Sequence, residues 1–499
     1  MKNTIRVICA LLAIMMLVTL AVSCAETKTT DDKETTAETK ASGEPEDETE
    51  EGDALEQRKN VSDDLPEYDA DGATFKLAIN ASTDDYIMTS EDAEDVVDEA
   101  VYKRNSSIES RFNCEITVVY DSGDRENYTE TSNMVLNSVN SGDDTFDLVA
   151  SHVVAISNIV LNNVFYNWND LEYTNFDKPW WAACTTETLT YRGKTLLAVG
   201  DVALSSIYET YCMFYNKDLG ENYNLPSIYD IIEAGEWTID KQISLTKDIY
   251  EDVNNDGQKD VDDFYGFETD ASSNVIAYLW AFDNPIMTKN SDGDLEFSIN
   301  TTRMPDIVTT ILDMFDYNGC FTFFDNDHHV FQIEQFNSDK VIFINGMFKF
   351  ATSQFRDFKG DYAIIPYPKW NEEQESYYTM VDGGHHALGV SIVETTPDFV
   401  SLITEALCAE SYKQVVPAYY DVALKVKGTR DEESVAMLDL IMETRAFDFG
   451  YVYNGWSGAS FWMQNLIQNQ DSDWVSFYEK NSPSVITYYE KVIDFFDNL

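Results

Sequence analysis

The stretch "DVNNDGQKDVDD", residues 252 to 263, sets oxygen-bearing side chains at Asp252, Asn254, Asp256, Asp260 and Asp263 around Gly257. Read as a twelve-residue loop, these are positions 1, 3, 5, 9 and 12. The Gln258 carbonyl falls at position 7 and a glycine stands where the sharp turn needs one. Hard oxygen ligands at this spacing suit a structural Ca²⁺. The closing residue is Asp rather than a bidentate Glu, and no second copy of the loop occurs, which argues against a paired sensor. The competing reading is a solvated acidic turn bent by its Gly and Asn.

Other chemical signatures fail on spacing. "RGKT" at 192 to 195 ends like a phosphate-binding loop, yet Thr188 stands where the first glycine is required. The "HH" pairs at 328–329 and 385–386 point to opposite faces if extended, so neither chelates one metal simply. H-E-x-x-H and G-x-S-x-G are absent. Carboxylates are plentiful enough, at 90 Asp and Glu, to supply the pair a glycoside hydrolase needs on number alone.

The ends of the chain say where such residues would work. "MKNTIRVICALLAIMMLVTLAVSC" has a basic start at Lys2 and Arg6, an apolar run, and small residues before Cys24, which is the pattern of an export signal. Its "LAVSC" is similar to the lipobox of bacterial lipoproteins, which implies lipidation at Cys24 and a membrane-anchored, extracytoplasmic protein. Residues 24 to 66 are rich in Thr, Glu and Asp with little to bury, so an acidic disordered tether is expected there. A coil of that length spans roughly 35 Å by its square-root scaling.

The formal charge is -57; residues 25–66 hold 15 acids and 5 bases and the leader two bases, so -49 stays on the body. Such a field repels polyphosphate and excludes nucleic acid as a partner. Cys114, Cys184, Cys212, Cys320 and Cys408 remain after the leader and Cys24, with no C-x-x-C or zinc spacing, and are read mainly as buried free thiols, a disulfide or two being the other option.

The elements that must position a site follow from periodicity. "ATFKLAIN" (73–80) alternates as a strand, 94 to 112 has amphipathic helical spacing, and "CEITVVY" (114–120) is a second strand. "FDLVASHV" (146–153) reads as a buried parallel strand, which makes an α/β, doubly wound layer. "YRGKTLLAVGD" (191–201) reads as a hairpin and 208–225 as a strand leading into a helix. A helix capped near Thr238 runs toward the acidic loop; 397–444 and the segment from Asp473 on are mostly helical. "PWW" (179–181) is assigned to packing.

Taken in order, the lipobox, acidic tether, "FDLVASH", "PWW", "YRGKTLLAVGD", "MFYNKDL", "EWTIDK", the acidic loop with its "FYGF", "SDKVIFINGMF", "DYAIIPYPK" and "VDGGHHALGV" resemble extracellular solute-binding proteins of carbohydrate-type ABC importers, the maltose-binding-like family, over about residues 70 to 499. The resemblance implies a two-lobed periplasmic-binding-protein-like (Venus flytrap) fold, each lobe a doubly wound α/β layer, joined by hinge strands. It assigns 67–208 plus 386–428 to lobe one and 209–385 plus 429–499 to lobe two. It places ligand contacts at His152, just past a strand, at Glu209, and at Asp382, Gly383, Gly384 and His385 of a hinge crossing. Phe348, Trp462 and Trp456 are its stacking aromatics.

The expectation is a lipid-anchored, monomeric receptor that captures a small solute, a sugar or oligosaccharide first, by lobe closure and hands it to a membrane permease. It is not an enzyme and requires no cofactor, a structural Ca²⁺ in the acidic loop being an option set against the solvated turn. A peptide or polyamine ligand is the alternative, favoured by the negative body; a lipid-anchored glycoside hydrolase and a surface adhesin are the rivals from other classes.

Overall fold

A computed structural model describes residues 56–80, 86–88, 95–121, 127–324, 330–420, 432–453 and 458–499. All belong to one compact unit, Asp53–Leu499. Cys24 and the leader, most of the tether, and Trp456 lie outside the described residues.

The strands are β1 (Ala73–Ile79), β2 (Cys114–Tyr120), β3 (Leu148–His152), β4 (Tyr211–Asn216), β5 (Tyr250–Glu251), β6 (Phe264–Asp270), β7 (Met287–Lys289), β8 (Leu295–Phe297), β9 (Cys320–Phe323), β10 (Val341–Met347), β11 (Tyr362–Ile365), β12 (Thr379–Met380), β13 (His386–Val390) and β14 (Arg445–Ala446). Two sheets dominate. The first has the order β13-β3-β1-β2, with β1 parallel to both β2 and β3 and the returning β13 antiparallel to β3. The second runs β11-β4-β10-β6-β5, with β9 added to β6.

Alternation along the first sheet shows that both of its faces are covered. Phe75, Leu77 and Ile79 of β1 pack in one core cluster with Leu148 and Ala150 of β3, while Ala78 and Val149 enter the other cluster on the opposite face. That is the doubly wound arrangement, since a strand's side chains point alternately to its two sides. In the second sheet β4, β6 and β10 are buried at every position, polar residues such as Glu268, Asp270 and Asn345 included.

Helix ends carry their own signals. Asp95 accepts from the Val97 and Asp98 amides at 2.8 and 3.1 Å to cap the helix Val96–Phe112, and Thr238 accepts from Lys241 N at 3.2 Å to start Ile239–Thr246. That second helix stops at Thr246, and β5 intervenes before the acidic loop. The "YRGKT" hairpin is a two-residue turn: Arg192 and Gly193 have φ of 53° and 70°, and Tyr191 and Lys194 exchange backbone bonds at 3.1 and 2.9 Å.

The expected tether boundary at residue 66 needs correction. Residues 56–59 are helical, and Val61 and Leu65 pack against the first sheet's core. Asp63 pairs with Arg111, Asp64 with Lys178 at 2.5 Å, and the Arg58 guanidinium sits 4.3 Å from the Tyr412 ring centre. The apolar pair Val61 and Leu65, lost in an acidic composition, gives this segment something to bury.

"PWW" is packing of a specific kind. The Trp180 and Trp181 indoles each donate to one oxygen of buried Glu405, at 2.7 and 2.9 Å. Burial still pushes that carboxyl up to about 7. The five cysteines Cys114, Cys184, Cys212, Cys320 and Cys408 are free, all but Cys114 buried.

Candidate functional site

The two sheets meet where the chain crosses between them. The first crossing leaves the short helix Ser205–Tyr208 through Glu209 and Thr210 into β4. The return crossing, Val381 to His385, lies beside it: Thr210 bridges Val381, and Asp382 N donates to the Glu209 carbonyl at 2.9 Å. A third link is the parallel pairing of β12 with β14. These crossings bring Glu209, Asp382, Gly384 and His385 together although 171 residues separate the Tyr211–Asp382 pair in sequence.

Each polar group there is held in a defined way. The Lys349 ammonium lies 2.9 and 2.8 Å from the two oxygens of Glu209, itself only 7 % exposed. Asp382 accepts the Gly384 amide at 2.8 Å on one oxygen and faces the Tyr211 hydroxyl at 3.1 Å with the other. That hydroxyl also meets Ser273 Oγ at 2.5 Å. Burial and the Asp382 charge hold the Tyr211 phenol well above its ordinary pKa, so it stays a donor.

Burial holds His385 and His386 neutral. His385 Nδ1 lies 2.6 Å from the Asp382 carbonyl, and because a carbonyl only accepts, Nδ1 carries the proton and Nε2 is left an acceptor. Burial lowers the His385 pKa, and it depresses His386 to about 3 with help from His152 and His385. His152 pairs with His386 across β3 and β13, and its ring stacks on Tyr128 at 4.5 Å.

Close backbone approach explains the double glycine. A Cβ on Gly383 would meet Val154 Cγ1 at 2.6 Å and Tyr451 Oη at 2.8 Å, the same hydroxyl that accepts the Gly383 amide. On Gly384 it would point between Asp382 Oδ1, His152 Nε2 and Glu209, at 3.0, 3.4 and 3.8 Å. Gly384 therefore keeps open a gap lined by two carboxylates and a histidine. Acceptors on Glu209 and Asp382 alternate with donors on Lys349, Tyr211 and Ser273, a set matched to hydroxyl groups that both give and take hydrogen bonds.

Two of the aromatics expected to stack, Trp462 and Phe348, are buried. Trp462 is 3 % exposed, with the rings of Phe297, Trp474, Phe477 and Tyr478 all within 6.0 Å, so its faces serve the core of the second lobe. Phe348 is fully buried just beneath the hinge, its amide bonded to the Thr210 carbonyl at 3.0 Å. Reading from sequence missed Lys349, Tyr211, Ser273 and Tyr128. Lys349 directly follows Phe348 and Tyr211 lies two residues past Glu209, so both were adjacent to residues that did stand out.

In the acidic loop, Asp252 accepts the Asp256 and Gly257 amides at 3.2 and 2.9 Å, Asn254 the Asp256 amide, and Asp256 the Gln258 amide. Asn255 and Gly257 take φ of 60° and 74°, which bends the chain so that these oxygens lie inside the turn. Asp263 is fully buried: its oxygens take the Val253 amide at 3.1 Å and the Tyr250 hydroxyl at 2.9 Å, closing the loop. Asp260 accepts the Asp262 amide at 2.9 Å, and the Gln258 carbonyl faces Tyr250 Oη at 3.3 Å. The oxygen-only donor set fits a hard cation; the loop's own amides and Tyr250 now hold those oxygens.

No family model and no curated protein matches the chain. Solved structures do. The GacH receptor of Streptomyces glaucescens, solved unliganded and with acarbose, aligns at 13 % identity over 84 % of this chain and 98 % of its own, with a TM-score of 0.54. The ABC substrate-binding protein Lmo0181 from Listeria monocytogenes, in complex with cycloalternan, aligns at 12 % identity over 84 % and 99 %, TM-score 0.52. M. tuberculosis UspC aligns at 12 % over 83 % and 100 %, TM-score 0.53. The chain has their two-lobed α/β fold. Among the described residues, no helix is long and apolar enough to cross a membrane.

Proposed function

We propose that the protein is the substrate-binding receptor of an ABC import system and takes a neutral, hydroxyl-rich solute, a sugar or oligosaccharide, between its lobes. The observation that carries this reading is the polar cluster at the crossings: Glu209, Asp382 and His385 come from the hinge itself, and Lys349, Tyr211 and Ser273 from the second lobe. Its full coverage of receptors solved with acarbose and cycloalternan supports the same ligand class. Ligand touching hinge and both lobes favours the closed arrangement by as much as it binds that arrangement more tightly.

His152 presents a ring edge from the first lobe, and Phe348 and Trp462 back the second. Lipid attachment at Cys24 keeps the receptor at the outer face of the cell membrane, where a permease accepts the closed form. No bond of the solute is made or broken. A Ca²⁺ held by Asp252, Asn254, Asp256, Gln258, Asp260 and Asp263 braces the surface turn and takes no part in solute capture.

A thermal-shift and calorimetric screen over malto-oligosaccharides, other oligosaccharides, peptides and polyamines tests the proposal. A sugar at 100 times its dissociation constant is expected to stabilise the native state by about 2.7 kcal/mol and to be recovered intact. Hits confined to peptides or polyamines, or recovery of cleaved sugar, would reject it.

A further inference from the structure

A second polar cluster lies far from the hinge. Asp147 precedes the first residue of β3 and His152 ends it, so the strand's length, roughly 16 Å at ~3.3 Å per residue, separates the two. Glu394 follows β13, which runs antiparallel to β3, and so arrives at the same distal end. There Asp144, Asp147 and Glu394 each offer a carboxylate oxygen, and the three atoms lie within 4.8 Å of one another.

Two of the three are removed from water. Asp147 is 5 % exposed and Glu394 3 %. Glu394 Oε1 accepts the Thr396 amide at 2.5 Å and hydroxyl at 2.8 Å, but its Oε2 is buried with no hydrogen-bond partner. Asp147 accepts the Lys76 amide at 2.8 Å and sits 3.3 Å from the Lys76 ammonium, which also donates to the Asp144 carbonyl at 2.9 Å. The ammonium thus pairs with the Asp147 carboxylate, while Glu394 feels the charges of Asp147 and Asp144. An acceptor left bare in such a place is costly, and burial raises the pKa of both Asp147 and Glu394.

We propose that Asp144, Asp147 and Glu394 form a binding site for a hard divalent cation of calcium's size, distinct from the acidic loop. The donors are all oxygens, and the 4.8 Å limit is about twice a Ca–O bond of ~2.4 Å. Asp144 is exposed and supplies the way in, with water completing the coordination. Lys76, whose side chain is 30 % exposed, has solvent to swing into as the ion enters. The ion joins the turn before β3 to the turn after β13, bracing the first lobe at the end opposite its hinge, whatever solute the hinge takes.

The test uses the full chain stripped with a chelator and titrated with CaCl₂ by calorimetry, in a background where Asp252→Ala and Asp256→Ala have disabled the acidic loop. We expect this background still to bind one Ca²⁺ and to rise in melting temperature with it. Adding Glu394→Gln should abolish that binding, and Asp144→Asn, at an exposed position that does not threaten folding, should weaken it at least tenfold. Absence of Ca²⁺ uptake by the loop variant up to about 10 mM, ten times the weakest extracellular affinities of ~10⁻³ M, would overturn the proposal. So would uptake that Asp144→Asn leaves unchanged.

Discussion

Glu209 is bound on both oxygens by Lys349, yet it stands beside the gap that Gly384 keeps open. A ligand hydroxyl placed in that gap meets a charged acceptor, and hydrogen bonds to charged groups contribute about 1.5 to 3 kcal/mol. Glu209→Gln is therefore expected to weaken solute binding roughly 10- to 100-fold while leaving the far-ultraviolet circular dichroism unchanged. Calorimetric titration of the variant decides it; undiminished affinity would move the site away from the hinge. His386 offers a separate test through pH. Its folded pKa of about 3 lies below the ordinary 6.5, so the unfolded chain takes up the proton first as pH falls. The stability associated with neutral His386 is present above 6.5 and lost toward 3, by about 1.4 kcal/mol per pH unit. Glu405, raised to about 7, acts in the opposite sense and loses stability as pH rises from 4.5 through 7. Chemical denaturation of His386→Gln between pH 4 and 6.5 should show a flatter acid limb than the wild type, with the alkaline limb unaltered. At this scale the sequence made Glu209, Asp382 and Gly384 visible through their neighbours in motifs. Lys349 and Tyr211 were hidden because their roles depend on which strand ends meet, and that is set by sheet order rather than by spacing. The burial of Trp462 was equally hidden, since a core tryptophan and a stacking one share a sequence signature.

Elements were more legible than side chains because their periodicity is local. β1, β2, β3 and β4 fall where alternation or an unbroken apolar run put them, and Thr238 and Asp473 cap the helices that follow them. Two features escaped. The break after Thr246 depends on a contact with a distant glycine: a Cβ on Gly319 would come 1.9 Å from the Thr246 carbonyl and 2.9 Å from the Ile249 backbone. Gly319 also donates to the Lys247 carbonyl at 2.8 Å, so β9 is seated against the chain leading into the acidic loop. Gly319→Ala is expected to cost about 1 to 3 kcal/mol, the range for overpacking, read as a lower denaturant midpoint at constant slope. The second feature is the last part of the expected tether, which docks through Val61 and Leu65 where average composition predicts nothing to bury. The acidic loop tests an element in the same way. Its carboxylates already face inward, accepting hydrogen bonds from backbone amides, so Ca²⁺ at 100 times its dissociation constant should stabilise the chain by about 2.7 kcal/mol, and Asp252→Ala should remove that part of the gain. A melting temperature insensitive to both Ca²⁺ and chelator would leave the loop a braced acidic turn.

At the scale of the whole molecule, the proposed function rests on the backbone crossings that join the two sheets. The crossings at Glu209–Thr210 and Val381–His385, with the short β12–β14 pairing, join the sheets among the described residues, and one apolar cluster runs past them with members from both, such as Val149 and Phe343. Hinge closure needs only a few residues at such crossings to absorb the change in φ and ψ. The fold was legible at this level because the order of motifs resembled one family throughout, whereas the ligand was not, since the proposed site gathers its groups from residues 152 to 385. A closing hinge predicts a coupled signal. Small-angle scattering should show a smaller radius of gyration when a binding sugar is added, and none with a sugar that gives no heat of binding. Gly384→Val supplies the control, because its side chain would fill the gap between Asp382, His152 and Glu209 and exclude ligand while both cores stay intact. That variant is expected to melt near the wild-type temperature without ligand, to lose the ligand-induced shift, and to show no compaction. Compaction of Gly384→Val with sugar would mean that the lobes close on something other than the cluster at the crossings.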